Sequence, residues 1–467
     1  MLNAISRVLP GANGRGDANP ATIAFLRWLA MDYEAQQRHY ARLRAWYNGQ
    51  HRVPLTDRQA EYLETDDFDW AINYLRLPVD LAVERLTVEA FDGPDGIGGD
   101  AGLIDEWWAS GRMDSVQRQV HRAAVRDGDT YVLVEWDAED GRPVFSHEPA
   151  FDGTEGMKVH YLSNLKRQMT MASKVWSESW FDDGGRVRTV QRLNLYLPDR
   201  IEKYVNTGRG WTPYSETPNE AWPIPWPIGI IPVVHFRWRD DGGNWGESEL
   251  EPLVPVQEMI NKAVLDEAEA ADGEALRKMV INGITLDMST DISFRVNSIM
   301  NIPAGPGGAR ADVVVIPPGD LSQLRERIND YIVRIAQLSH IPLQYFQVTG
   351  QIASAATQAA DDSQLVAKVA AEAVALGNAW EDVMYIALKL NQEYGDGRDL
   401  ARGQNIETVW ADFNRVDRLV IDERRAATLK TYTEAGATIQ GAAAVLDFTA
   451  EEVETLVRVD TIDGIIP

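Results

Sequence analysis

The sequence predicts an α+β fold, and three features carry that prediction. Strand-like runs separated by Asp-Gly and Gly-Gly turns crowd into the part before residue 248. Helical patterns take over after it. The longest of these is an alanine-rich stretch from near Ile352 to Glu393 that contains no proline. At 1.5 Å per residue its roughly 40 residues make a rod on the order of 60 Å, far beyond an average globular helix.

The elements follow in order. Amphipathic helical patterns open the chain around Ala21 to Asn48 and continue through Val79 to Phe91. A glycine-rich loop, Gly93 to Gly99, leads to a further helical stretch, Leu103 to Arg126. Strand-like runs occupy Thr130 to Trp136, Lys174 to Trp180, Val187 to Leu197 and Ile230 to Trp238. Thirteen of the fifteen tryptophans lie before residue 248, and we read them as packing residues and not as sugar-binding platforms.

From Gly246 the chain turns helical. Ser248 and Glu251 have capping-box spacing, although Pro252 and Pro255 place the regular helix after them. Leu253, Val256, Met259, Ile260, Ala263, Val264 and Leu276 supply its apolar side. Gly283 to Pro318 reads as a small αβ segment with a strand at Asp312 to Ile316. Asp320, with Gln323 in the reciprocal position, caps the next helix, whose stripe is Leu321, Leu324, Ile328, Ile332, Ile335 and Leu338. That helix ends at His340-Ile341-Pro342, and a polar loop follows. The long helix then repeats apolar residues at Val366, Val369, Ala373, Leu376, Trp380, Val383, Ala387 and Leu390. Two shorter helical patterns, Ile421 to Ala435 and Thr449 to Val457, close the chain.

Composition narrows the function. With 467 residues the chain exceeds one ordinary core. Its net charge of −26 argues against a conventional nucleic-acid binder, whose affinity rests on cations neutralising phosphates. There are no cysteines, which excludes disulfides and thiolate zinc sites and fits assembly in a reducing cytoplasm. No stretch of 18 uninterrupted apolar residues predicts a membrane span.

Nothing in the sequence carries catalysis, a metal or a cofactor. There is no Walker loop, no His-Glu-x-x-His and no Gly-x-Ser-x-Gly. Gly96-Ile-Gly98-Gly99 mimics a dinucleotide loop after the strand-like Leu86 to Phe91, but nothing else of a βαβ unit surrounds it, and it reads as a surface turn. Asp66-Asp67-Phe68-Asp69 reads as capping or solvated carboxylates, and Asp361-Asp362 as charged positions on a long helix. Between Pro342 and Leu388 the only basic residue is Lys368, so the polar face of the long helix would let a polyanion pass without holding it.

Several segments resemble the portal proteins of tailed bacteriophages, in particular the family found in long-tailed phages of Gram-positive hosts. Asn73 to Asp80 with Glu84 to Phe91 is similar to that family's N-terminal segment, and Ala124 to Val134 to its helix-to-strand junction. Ile231 to Arg237, then Gly246 to Leu250 through Ile260-Asn261-Lys262, resembles the approach to its first stem helix. The order of elements matches as well: helix, small insert, helix, loop, long helix.

What the resemblance implies is a portal fold with wing, paired stem helices, a small αβ clip, a tunnel loop, a long helix and a helical crown. The implied divisions are a wing at 1–248, stem helices at 249–282 and 319–341, a clip at 283–318 and a tunnel loop at 342–354. The long wing helix takes 355–394, and the C-terminal part of the wing with the crown takes 395–467. The implied assembly is a ring of about twelve copies at the capsid's portal vertex in the virion. Double-stranded DNA passes through it without sequence specificity during packaging and ejection. Implied partners are the terminase large subunit, then a head-tail adaptor protein, and the major capsid and scaffolding proteins. No enzyme activity, cofactor or metal is implied. Gln344, Tyr345, Phe346, Gln347, Thr349, Gly350 and Gln351 would come closest to DNA, in a more aromatic loop than the family suggests. Arg295 and Arg310, the only basic residues of 283–318, would serve partner contacts at the clip. Two rival readings are a metal-dependent nuclease using the acidic clusters and a Trp-rich adhesion protein of the virion surface. Both leave the long helices without a task.

Overall fold

The computed structural model describes residues 39–51, 55, 57, 60–61, 72–93, 102–161, 168–181, 185–206, 208, 210–217, 220–275, 279–282, 312–315, 321–346, 362–395, 397 and 406–413. Helix α1 covers 39–48 of these. Then come α2 (Arg76–Val83), β1 (Val88–Asp92), α3 (Leu103–Ser110) and α4 (Met113–Asp127). The helical pattern drawn through Phe91 stops at Val83, and of the two readings of Leu86 to Phe91 the strand is the one observed. The chain turns at Glu84-Arg85, and β1 then pairs antiparallel with β13 (Glu407–Trp410), where Val88 and Phe91 face the core. The helix expected over Leu103 to Arg126 is broken in two by Gly111 and by Arg112, whose φ of 52° no helix accommodates.

Two sheets follow. Strands β2 (Asp129–Asp137), β3 (Arg142–Pro149) and β10 (Val233–Arg237) form a three-stranded sheet in the order β10-β2-β3. Strands β4 (Gly156–Tyr161), β5 (Met169–Phe181), β6 (Val187–Tyr196), β7 (Arg200–Asn206) and β8 (Trp211–Pro213) lie side by side, with β9 (Ile224–Pro225) also pairing β7. The sequence pattern found β2, β5, β6 and β10 and missed β3, β4, β7, β8 and β9. Strands β3 and β4 are edge strands, where the prolines of β3 cost no ladder bond on the open side, whereas β7 lies inside its sheet between β6 and β8.

Beyond the sheets, α5 (Val254–Ala275) and α6 (Ser322–Ser339) pack as an antiparallel pair through Ile260, Ile332 and Ile335. Between them β11 (Met279–Asn282) pairs with β12 (Asp312–Val315), so the segment 279–282 is a strand and not the end of the preceding helix. Val280 and Ile281 are β-branched, which favours that outcome. Helix α6 starts at Ser322 after Leu321, with no side-chain cap; Asp320, the expected cap, lies outside the described residues. Neither apolar stripe is buried throughout: Met259 is 51% exposed and Leu338 46%. Most of the remaining stripe residues face inward.

The long helix α7 (Ser363–Tyr394) is the centre of the molecule. Every residue of its predicted stripe except Val366 is buried. Trp380 is wholly buried against Trp108, Phe236 and His121, with ring centroids 5.2, 4.8 and 5.9 Å away. Truncating such a side chain to alanine typically costs about 3–5 kcal/mol. Among the described residues the predicted packing role holds for most tryptophans, with Trp180 the exception at 44% exposure. The chain enters α5 through a tight crossing. Gly128 has φ +89°, and a Cβ on Gly246 would sit 2.3 Å from the Gly128 carbonyl oxygen, so only glycine fits there.

Candidate functional site at the foot of the helix pair

The end of α6, the turn after it and the start of α7 meet in a knot of buried polar groups. Helix α6 is closed by His340 in a left-handed conformation (φ 57°), its N–H bonded back to Ala336 and Gln337. Leu343–Tyr345 then forms one 3-10 turn. Tyr345 donates its hydroxyl to Asp362 Oδ2 at 3.0 Å. The guanidinium of Arg85, 2% exposed, binds the same oxygen at 2.8 Å and the Leu81 carbonyl at 3.1 Å. Both ends of the segment 347–361 are therefore held at one point. Arg85 Nε and Asp362 Oδ1 have no partner among the described residues, which leaves this ion pair incompletely satisfied.

A second charged group lies nearly two turns further along α7. Lys368 donates to Glu249 Oε1 at 2.6 Å and to the Ser339 carbonyl at 2.8 Å, closing the C-terminal end of α6 with a cation. Glu249 is fully buried and also accepts from Arg239 at 3.0 Å and from Trp238 Nε1 at 3.2 Å. Burial pushes the Lys368 ammonium below its ordinary value and the Glu372 carboxyl above its own. The contacts join four elements at one place: the chain leading into α5, the end of α6, the start of α7 and the end of β10.

Lys368 is not a free charge on the polar face, as the sequence suggested, but is drawn inward and largely shielded, with 11% of its side chain exposed. The exposed stripe of α7 is then Ala367, Ala371, Val374, Asn378, Asp382 and Tyr385, and it carries no cation. Asp362, read as a solvated helix charge, is instead the partner of Arg85.

Of the residues assigned to the loop, Gln344, Tyr345 and Phe346 are described and all three are half-buried. Phe346 packs on Tyr74, centroids 6.1 Å apart, and Tyr345 belongs to the same knot, so both rings anchor the base of the loop. Gln347, Thr349, Gly350 and Gln351 lie outside the described residues, as do Arg295 and Arg310. Arg85 and Glu249 escaped sequence reasoning because their partners are 277 and 119 residues away.

A third cluster imitates a catalytic triad. His235 Nε2 is 2.8 Å from Asp129 Oδ1 and its Nδ1 is 2.7 Å from the Tyr161 hydroxyl. Asp129 also accepts from Tyr40 and from the Gly246 amide at 2.8 Å each, so it serves as a buried tie between sheets, α1 and the approach to α5. Burial holds His235 below its ordinary value. Among the described residues no three His, Asp or Glu side chains converge on a point that could hold a metal ion. No helix among them is long and apolar enough to cross a membrane.

The architecture is that of a scaffold: an antiparallel helix pair with a strand pair at its far end, tied by buried charges to a long core helix. Residues 26–421 match the family model described as phage portal protein, SPP1 Gp6-like, and the chain belongs to that family. Its relatives include the portal proteins of Mycobacterium phage L5 and Mycobacterium phage D29. Each is 22% identical over 362 residues, covering 73% of this chain and 68% and 69% of the relative. Similar solved chains come from the neck of a native gene transfer agent particle computed with C12 symmetry and from the neck of the empty particle computed with C6 symmetry. They are 13% and 14% identical, with TM-scores of 0.42 and 0.46, each covering 85% of this chain and 96% of the other. As a portal protein the chain is a component of the virion at its portal vertex.

Proposed function

We propose that about twelve copies of this chain close into a ring whose channel conducts double-stranded DNA into the capsid and out again. The family match over residues 26–421 carries this reading. In it, α5 and α6 are the stem helices and the strand pair β11–β12 belongs to the clip, which receives the terminase large subunit and later a head-tail adaptor protein. The sheets and α7 form the wing, next to the major capsid and scaffolding proteins.

The physics of transport supports the assignment. A channel that must pass DNA both ways gains nothing from tight phosphate contacts, and base readout would make packaging depend on sequence. The exposed stripe of α7 offers mainly small and polar groups, together with Val374 and Tyr385, and no cation. The segment Gln344 to Gln351 comes closest to the duplex, its base fixed by Tyr345 and Phe346. Arg295 and Arg310 supply contacts at the clip. Negative-stain images of the purified chain test the ring: an annulus with a central hole in axial view is expected, and uniformly compact single-chain particles would refute it.

A further inference from the structure

The outward faces of α5 and α6 bear matching charge patterns, and from them we infer that α5 of one copy docks on α6 of the next through a three-rung ladder of ion pairs. The inference rests on the ring proposed above and deepens it by naming the contact.

The register of the pair comes first. Arg325 Nε on α6 lies 2.8 Å from Glu267 Oε1 on α5, and Ile260 packs with Ile332 and Ile335. In this antiparallel arrangement each step forward along α5 is a step back along α6. Glu258 therefore stands level with Arg334 and Lys262 with Asp330. Asp266 lies within one residue of the level of Arg327, about 1.5 Å along the axis.

Direction comes next. At 3.6 residues per turn, Glu258, Lys262 and Asp266 lie about 120–160° round α5 from Ile260, which faces α6. Arg327, Asp330 and Arg334 lie equally far round α6 from Ile332. The two stripes thus occupy opposite outer sides of the pair. Five of the six residues are exposed and Asp266 is half-buried.

Set beside each other in a ring, two copies bring the α5 stripe of one against the α6 stripe of the other. Its signs read minus, plus, minus; those facing it at the same heights read plus, minus, plus. Met259 and Leu338, the two large apolar residues that these helices turn outward, lie beside the stripes and supply the apolar part of such a contact. A contact between two different faces of one chain is heterologous, and repetition closes it into a ring. The occupant of each face is thus a second copy of this chain.

Two full-length variants test this, Glu258→Lys and Arg334→Glu, purified separately and then mixed in equal amounts. Mass photometry at low salt reads the concentration at which half the chains are in rings. Each variant alone places like charges on a rung and is expected to need about tenfold more protein than wild type, an effect that added salt reduces. The mixture is expected to regain wild-type assembly, because alternating neighbours again meet opposite signs. A merely intrachain role for either residue cannot produce that recovery. Should a reversal unfold the chain, the neutral variants Glu258→Gln and Arg334→Gln carry the comparison, each expected to need about threefold more protein. Single variants that assemble like wild type, or a mixture no better than its poorer member, would overturn the ladder. Wild-type chains that form no ring would instead count against the assembly itself.

Discussion

Acidification should loosen the seat of the long helix through one imidazole, His121. This residue on α4 is wholly buried beneath α7. Its Nε2 accepts the indole N–H of Trp380 at 2.9 Å, and its Nδ1 lies 3.1 Å from the Leu86 carbonyl oxygen. An indole nitrogen can only donate, so the proton of the neutral ring must sit on Nδ1. A second proton would have to enter at Nε2, against the Trp380 N–H. Burial pushes the His121 pKa down to about 4 from the ordinary 6.5. The unfolded chain therefore takes up the proton first, and stability falls as pH drops below about 6.5, until the loss is complete near 4. At 1.36 kcal/mol per unit the loss is about 2 kcal/mol at pH 5 and about 3 kcal/mol at pH 4. Urea unfolding of wild type and His121→Leu at pH 7 and pH 5 measures it. The variant starts roughly 1–3 kcal/mol less stable, since Trp380 loses its acceptor, but should show a shallower pH dependence. His147, also pushed to about 4 by burial, is present in both proteins and cancels in the difference. Equal losses between pH 7 and pH 5 in the two proteins would refute the reasoning.

Four further outcomes are expected. Glu249→Gln removes the buried anion that Lys368 and Arg239 share, and should cost about 3–5 kcal/mol in urea unfolding; a loss under 1 kcal/mol would show that the pair is not a tie. Asp362→Asn removes the anion held by Arg85 and Tyr345, and should raise hydrogen exchange of the Leu343–Phe346 amides at least tenfold, with unchanged protection counting against the anchor. Deleting residues 347–351 should lower the yield of packaged genomes while rings still form; a normal yield would remove the loop from the transport path. Replacing Arg295 and Arg310 together by alanine should weaken binding of terminase and adaptor, and unchanged binding would discard their partner role.

Much of the fold could be read from periodicity because its elements are long. The stripe of α7 runs over many turns, so a 3.6-residue repeat stands out against noise, and the structure buries nearly all of it. The paired helices were legible for the same reason. Their stripes were overdrawn at Met259 and Leu338, since an apolar residue facing outward looks the same in sequence as one facing inward. Local pattern was ambiguous at Val88–Asp92, which read both as the end of a helix and as a strand and is a strand because β13 lies beside it; it failed at Met279–Asn282, a strand because β12 lies beside it. Within the site, the turn after His340 was visible from Pro342. The knot beneath it was not, because Arg85, Glu249, Asp362 and Lys368 acquire partners only when distant segments meet. The order of elements from residue 246 onward was the strongest guide to the family.

The mass of the purified particle tests the central claim most directly. Light scattering should give about 630 kDa, twelve copies of the 52.2 kDa chain, with a neighbouring whole number of copies still consistent with a closed ring. A mass that stays at 52.2 kDa across all concentrations and salt conditions would contradict it.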